Sequence, residues 1–230
     1  DIAVIEINED IRPIVALVDV EQEALDQPPL TFFEVLTCIA YAAFADAPVD
    51  VAVIEVGLGG RWDATNVADA DVAVVTPIAI DHERWLGTTE VAIADEKSGI
   101  IAADAVAVIG RQSPEVLDVL LRRCAEVGAQ PRVFGREFDL VSRTVAVGGQ
   151  VLDIRTVLGE YHEVFLSLHG AHQADNATVA VAAVEALLVG EAALDQALVD
   201  ALGSATSPGR LEAVTREPTV LLDAAHNPAG

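Results

Sequence analysis

Ile11, Ile14, Val15 and Val18 recur at three- and four-residue spacing, which predicts a helix near 10–23, broken by Gln27-Pro28-Pro29. A second helix is expected over 31–45, mostly buried, with Thr31 as N-cap and Glu34 three residues on completing a capping box. The unbroken apolar run 51–56 reads as a strand covered on both faces, ending at Glu55 and a glycine loop. Runs 72–76 and 106–109 read the same way, with helices predicted over 89–97 and 114–127. Beyond 130 the pattern changes. Short strands are expected at 132–138, 144–147, 151–155 and 164–168, with Gly148-Gly149-Gln150 as a hairpin turn, giving an antiparallel appendage. Helices resume at 172–188 and 194–202. A linker is expected over 206–212, and 219–223 starts a new strand. The fold class is therefore α/β, a mostly parallel sheet flanked by helices, with a small antiparallel appendage and the start of a second α/β domain. The expected division is 1–205 and 206–230.

Composition narrows the functional classes. Apolar residues make up 52% of the chain, enough for a core despite a net charge of −24, so acidity does not signal disorder. The few arginines form no basic footprint, which argues against nucleic acid or an anionic membrane as partner. No apolar run reaches membrane-spanning length and no signal peptide opens the chain, so a cytoplasmic protein is expected. Cys38 and Cys124 read as reduced core thiols.

Candidate chemistry gathers after the strand ends, where open parallel sheets bind ligands. Lys97 is the chain's only lysine, although twelve arginines serve elsewhere. An amine can lose its proton and act as a nucleophile or take up a carbonyl group, whereas guanidinium stays charged. Glu55, at the end of a buried strand, needs a metal or an arginine such as Arg61. His82, after Asp81, is a candidate imidazole ligand, and the oxygen-rich surroundings favour magnesium over zinc. The Gly57–Gly60 loop permits close backbone approach but is not a phosphate loop ending in Gly-Lys. Asn176 near a helix start, Arg210 in the linker, and Asp223 and His226 just beyond a strand are further polar candidates.

The motif Glu-Val-Gly-Leu-Gly-Gly-Arg-Trp-Asp-Ala-Thr-Asn over 55–66 is followed by Asp-His-Glu-Arg-Trp-Leu-Gly over 81–87 and Glu-Lys-Ser-Gly-Ile over 96–100. Next come 170–177, Ser-Pro-Gly-Arg-Leu-Glu over 207–212 and Asp-Ala-Ala-His-Asn-Pro over 223–228. In this order they resemble folylpolyglutamate synthase, often also dihydrofolate synthase, within the Mur ligase superfamily. Ala79, Ser98 and Ala224 depart mildly from the family pattern, where serine, alanine and glycine are usual. The family's N-terminal phosphate loop and most of its C-terminal domain have no counterpart, so the chain is expected to be truncated at both ends.

The resemblance implies an ATP-dependent ligase that adds L-glutamate to folate, and to dihydropteroate, through an acyl phosphate. The cofactors would be ATP as co-substrate and two Mg2+, and the enzyme a monomer. Glu55, His82 and Lys97 become metal ligands, Lys97 as a carbamate. Lys97 and His226 are the catalytic candidates; Asn176, Arg210 and Asp223 the ATP contacts; Trp62, Asp63 and Ala64 the folate or pteroate segment. The alternatives are an inactive fragment or binding module of the same fold, or a cell-wall Mur-type amino-acid ligase.

Overall fold

The computed structural model describes residues 2–188, 194–216 and 218–224. The chain divides into two units, Asp1–Ala68 and Asp69–Gly230. Among the described residues, no helix is long and apolar enough to cross a membrane.

In the first unit, helix α1 (Ile2–Ala24) contacts α2 (Phe32–Asp46). The predicted capping box is present. The Thr31 hydroxyl accepts from Glu34 N–H at 3.3 Å, and the Glu34 carboxylate accepts from Thr31 N–H at 2.7 Å. The Thr31 hydroxyl also donates to the Glu34 carboxylate at 2.7 Å, and this bond, together with the one from Thr31 N–H, holds the Glu34 carboxyl below its ordinary range. The Asp19 carboxylate accepts from Leu30 N–H at 2.8 Å and folds the proline-rich connection back onto α1.

Three expectations fail in this unit. α2 is not mostly buried; Thr37 is its buried residue, and Cys38 is exposed rather than a core thiol. Residues 51–56 form no strand, and Val53 is 92% exposed. An apolar run becomes a strand only where a neighbour completes its hydrogen bonds, and no described strand pairs with this one.

The second unit carries the sheet. Strands β1 (Val72–Val75), β2 (Val106–Ile109) and β3 (Gln130–Val133) are parallel in that order, with Val72 beside Val106 and Val106 beside Gln130. Alternation along each strand sorts side chains onto two faces. Ala73, Val75, Ala107, Ile109 and Val133 pack with Ile93 of α4 (Glu90–Lys97) and Leu120 of α5 (Pro114–Val127). The other face, with Val108, packs against Val179, Ala182 and Ala186 of a later helix. Ile93, Ile101, Ile109 and Leu120 are fully buried, each stabilising the fold by about 1.5–3 kcal/mol.

The segment predicted as 132–138 and assigned to the antiparallel appendage is thus corrected. β3 is the parallel sheet's third strand, because a tight helix end at Gly128 (φ 75°) returns the chain alongside β2. The appendage is β4 (Asp139–Ala146), β5 (Gly149–Arg155) and β6 (Glu160–Leu166), joined antiparallel. The predicted glycine turn does connect β4 to β5, with Gly148 at φ 82°.

The helix shared by the two sheets is α6 (Ala171–Leu187). It packs Val179 and Ala182 against the parallel sheet, and Ala174, Ala177 and Val181 against β5 and β6. A helix apolar on opposite faces belongs between layers. Helix α7 (Leu194–Ser204) adds Leu198 to the second cluster. The expected linker stops one residue early: Glu212 opens β7 (Glu212–Arg216), which pairs antiparallel with β8 (Thr219–Leu222).

Candidate functional site

In the first unit the glycine loop is organised by one carboxylate. Asp63 accepts from Leu58 N–H at 2.8 Å, Thr65 N–H at 2.9 Å and the Thr65 hydroxyl at 2.5 Å. Burial pushes the Asp63 carboxyl upward, but bonds from the Thr65 hydroxyl and the Leu58, Thr65 and Gly57 N–H groups outweigh it, and the net shift is downward. Asp63 also caps the short 3-10 turn Ala64–Val67, so Ala64 is fixed as that turn's first residue. Tyr41 donates its hydroxyl to the Thr65 carbonyl at 2.6 Å. Gly57 sits close to the far end of the Phe33 ring, and a Cβ there would meet Phe33 Cζ at 2.4 Å. Trp62 projects into solvent, 86% exposed. Glu55 is exposed on irregular chain, not at the end of a buried strand, so burial supplies no reason for it to need a counter-charge.

In the second unit, Asp81 and His82 follow β1. His82 stands at φ 50°, ψ 37°, the left-handed region, and opens the short helix α3 (Glu83–Leu86). The Asp81 carboxylate accepts from His82 N–H at 2.7 Å and lies 4.0 Å from His82 Nε2. Lys97 is the last residue of α4 and is half-buried. That helix is anchored by buried Ile93 and Ala94 and capped by the Thr89 hydroxyl. Buried Ser98 donates to the Asp95 carbonyl at 2.6 Å and fixes the turn beyond it.

The ATP-contact candidates share one neighbourhood in this unit. Asn176 is exposed on α6, its amide 3.4 Å from the Gln173 side-chain oxygen. The N-cap of α6 is Gly170 at φ 93°, where a Cβ would meet Leu211 Cδ1 at 3.0 Å, so the 207–211 loop abuts the helix start. Asp223 accepts from Leu211 N–H at 3.1 Å, and Ala224 N–H donates to the Gly209 carbonyl at 2.8 Å. The Arg210 loop, Asp223 and the opening of α6 are therefore brought together across more than fifty residues of chain. His226 lies outside the described residues.

The sequence reading missed the loop just past β2. Arg111 pairs with Asp175, next to Asn176, at 3.2 Å, and Gln112 bonds both Thr76 and Ile78. The strand-end rule that selected Asp81 and Asp223 applies equally there and is the signal that could have found them.

Among the described residues, no three or more His, Cys, Asp or Glu side chains gather into a set that could hold an ion. Magnesium does not require such a cage, since it keeps waters and takes one or two carboxylates plus substrate phosphates. In the first unit exposed Glu55, and in the second exposed His82 beside half-buried Asp81, each by itself offers the one or two donors of that mode and not a closed protein site.

A parallel sheet with polar loops beyond its strand ends and a glycine-capped helix beside them is the architecture of a ligand-binding α/β domain. Residues 9–184 match the Mur ligase middle domain, and the chain belongs to the Mur ligase family. It is 51% identical over 234 residues to the dihydrofolate synthase/folylpolyglutamate synthase of Mycobacterium tuberculosis, covering 96% of this chain and 48% of that protein. It is similar to the solved M. tuberculosis folylpolyglutamate synthase complexed with ADP, with TM-score 0.92 and 50% identity over 99% of this chain and 51% of the other. An FPGS–AMPPCP–folate complex superposes with TM-score 0.85 at 34% identity, over 93% of this chain and 53% of that one. The chain spans about half the length of the relatives it matches.

Proposed function

We propose that the natural gene product carrying these residues is an ATP-dependent ligase that adds L-glutamate to folate, and to dihydropteroate, acting as a monomer in the cytoplasm. The observation that carries this reading is that the glycine loop, the Asp-His pair, the lone lysine and the Arg210–Asp223 loops occur in one chain similar to dihydrofolate and folylpolyglutamate synthases. The similar structure that holds ADP and the one that holds AMPPCP with folate favour the same substrates. Residues 1–205 are proposed as the central ATPase domain and 206–230 as the linker and first strand of a ligase domain.

In the proposed reaction a folate carboxylate attacks the ATP γ-phosphorus, the bond to the β-phosphate oxygen breaks, and an acyl phosphate and ADP form. The amine of L-glutamate then attacks the acyl carbon, and phosphate leaves as the amide forms. Positioning and electrostatics dominate phosphoryl transfer of this kind. Asn176, Arg210 and Asp223 hold the nucleotide, with Arg210 supplying positive charge to phosphate. Trp62, Asp63 and Ala64 form the pteridine-facing segment, in which Asp63 fixes the loop and exposed Trp62 offers a ring for stacking. His226 orients the incoming glutamate. Glu55, His82 and Lys97, as a carbamate, would hold two magnesium ions, whose positive charge would offset that of the phosphates.

Carbamylation requires an amine that can be neutral, so Lys97→Arg keeps positive charge yet cannot carry the group. Its kcat for ligation is expected to fall about 10²–10³-fold, the scale for losing one electrostatic stabiliser. Near-normal turnover by the variant would remove Lys97 from the reaction.

A further inference from the structure

Three consecutive side chains just past β2 each hold a different segment of the candidate site. Gly110 ends the strand by donating its N–H to the Val75 carbonyl at 2.8 Å. Arg111 places Nε 3.2 Å from Asp175 in the first turns of α6, lies 3.7 Å from Asp139, and covers the Phe134 ring at 3.9 Å from its centre. Gln112 uses both ends of its amide. Its oxygen accepts from Ile78 N–H at 3.0 Å and its nitrogen donates to the Thr76 carbonyl at 2.9 Å. Those partners flank Pro77, which has no N–H of its own, on the segment that runs into Asp81 and His82. Ser113 sits at the N-cap of α5 without capping it. Its hydroxyl instead donates to Glu90 at 3.3 Å, in the first turn of the helix that ends at Lys97.

We propose that Arg111, Gln112 and Ser113 form a positioning element that fixes the His82, Asn176 and Lys97 segments relative to one another. Gln112 governs the His82 segment and Arg111 the nucleotide-facing turn of α6. This rests on the ATP-site reading above. The apolar clusters on either side of the sheet are closed by other residues, so Gln112 and Ser113 add only polar ties. Each tie joins segments more than twenty residues apart. A planar guanidinium that stacks and pairs at once cannot be replaced by an ammonium.

The test uses the natural gene product carrying these residues, with Gln112→Ala and Arg111→Lys, hydrogen exchange followed by segment, and steady-state kinetics with ATP. Gln112→Ala is expected to speed exchange at Ile78 and through 78–82 about tenfold, to leave 171–176 within about twofold, and to lower kcat with little change in KM for ATP. Arg111→Lys is expected to do the reverse, speeding exchange over 171–176 and raising KM for ATP about tenfold, equivalent to ~1.4 kcal/mol. Exchange that rises evenly across the chain, or wild-type exchange and kinetics in both variants, would overturn the proposal. If the wild-type product does not turn over ATP, the ligase reading fails instead. The exchange pattern then decides alone: a segment-specific response upholds the positioning element and an even one defeats it.

Discussion

Removing the Asp63 carboxylate tests how the glycine loop is held. It receives three hydrogen bonds of 2.5–2.9 Å from Leu58 and Thr65, with Gly57 N–H contributing a fourth. Bonds to a charged acceptor contribute about 1.5–3 kcal/mol each when sheltered. The loop is half-buried, and water replaces part of what is lost. Loss of an N-cap alone costs about 0.5–2 kcal/mol. Asp63→Ala should therefore weaken the loop locally by roughly 2–3 kcal/mol, which corresponds to about 30- to 150-fold faster opening. Asp63→Asn keeps one acceptor oxygen and should fall between wild type and the alanine variant. Native-state exchange at the Leu58 amide reads this directly, because that N–H is bonded to the carboxylate itself. An unchanged Leu58 exchange rate in Asp63→Ala would show that the carboxylate does not hold the loop.

The same carboxylate sets a pH response. Its folded pKa is depressed, so its contribution is present above the ordinary value of 3.8 and is lost as pH falls through the lower folded value. Trp62 fluorescence should report a loop transition below 3.8, and one centred above it would contradict the assignment. On α6, buried Glu185 accepts hydroxyls from Thr156 at 2.7 Å and Tyr161 at 2.8 Å, while among the described residues its second, buried oxygen has no hydrogen-bond partner. Glu185→Gln keeps the oxygen that accepts both hydroxyls, so thermal stability should stay near that of the wild type. Glu185→Ala should cost about 2–4 kcal/mol, and the opposite order of the two would refute the account. Burial raises the Cys124 thiol pKa and shields it, whereas Cys38 is exposed. A thiol reagent should label Cys38 alone in the native chain, as peptide mapping would show; native labelling of Cys124 would contradict its burial.

What could be read in advance was local. Thr31 with Glu34, Pro114 at a helix start and the glycine turn between β4 and β5 fix their elements through neighbours a few residues away. Pairing was not local. Nothing in Gln130-Pro131-Arg132-Val133 distinguishes a parallel partner in β2 from an antiparallel one in β4, and the return path at Gly128 decides. Residues 51–56 have a strand's composition but no described strand to complete their bonds. The candidate site divides in the same way. Lys97, His82, Asn176 and Asp223 stood out by type and by position after an element, whereas Gln112 matters through partners 34 and 36 residues away, which no spacing reveals.

The roles proposed for these residues all depend on ligation of glutamate to folate at the expense of ATP. The most direct measurement is transfer of labelled L-glutamate by the natural gene product carrying these residues, with folate and a nucleotide-linked muramyl peptide offered in parallel. Labelled glutamyl-folate with equimolar ADP is expected, none of it without ATP, and no label on the muramyl peptide. Label on the peptide and not on folate would contradict it.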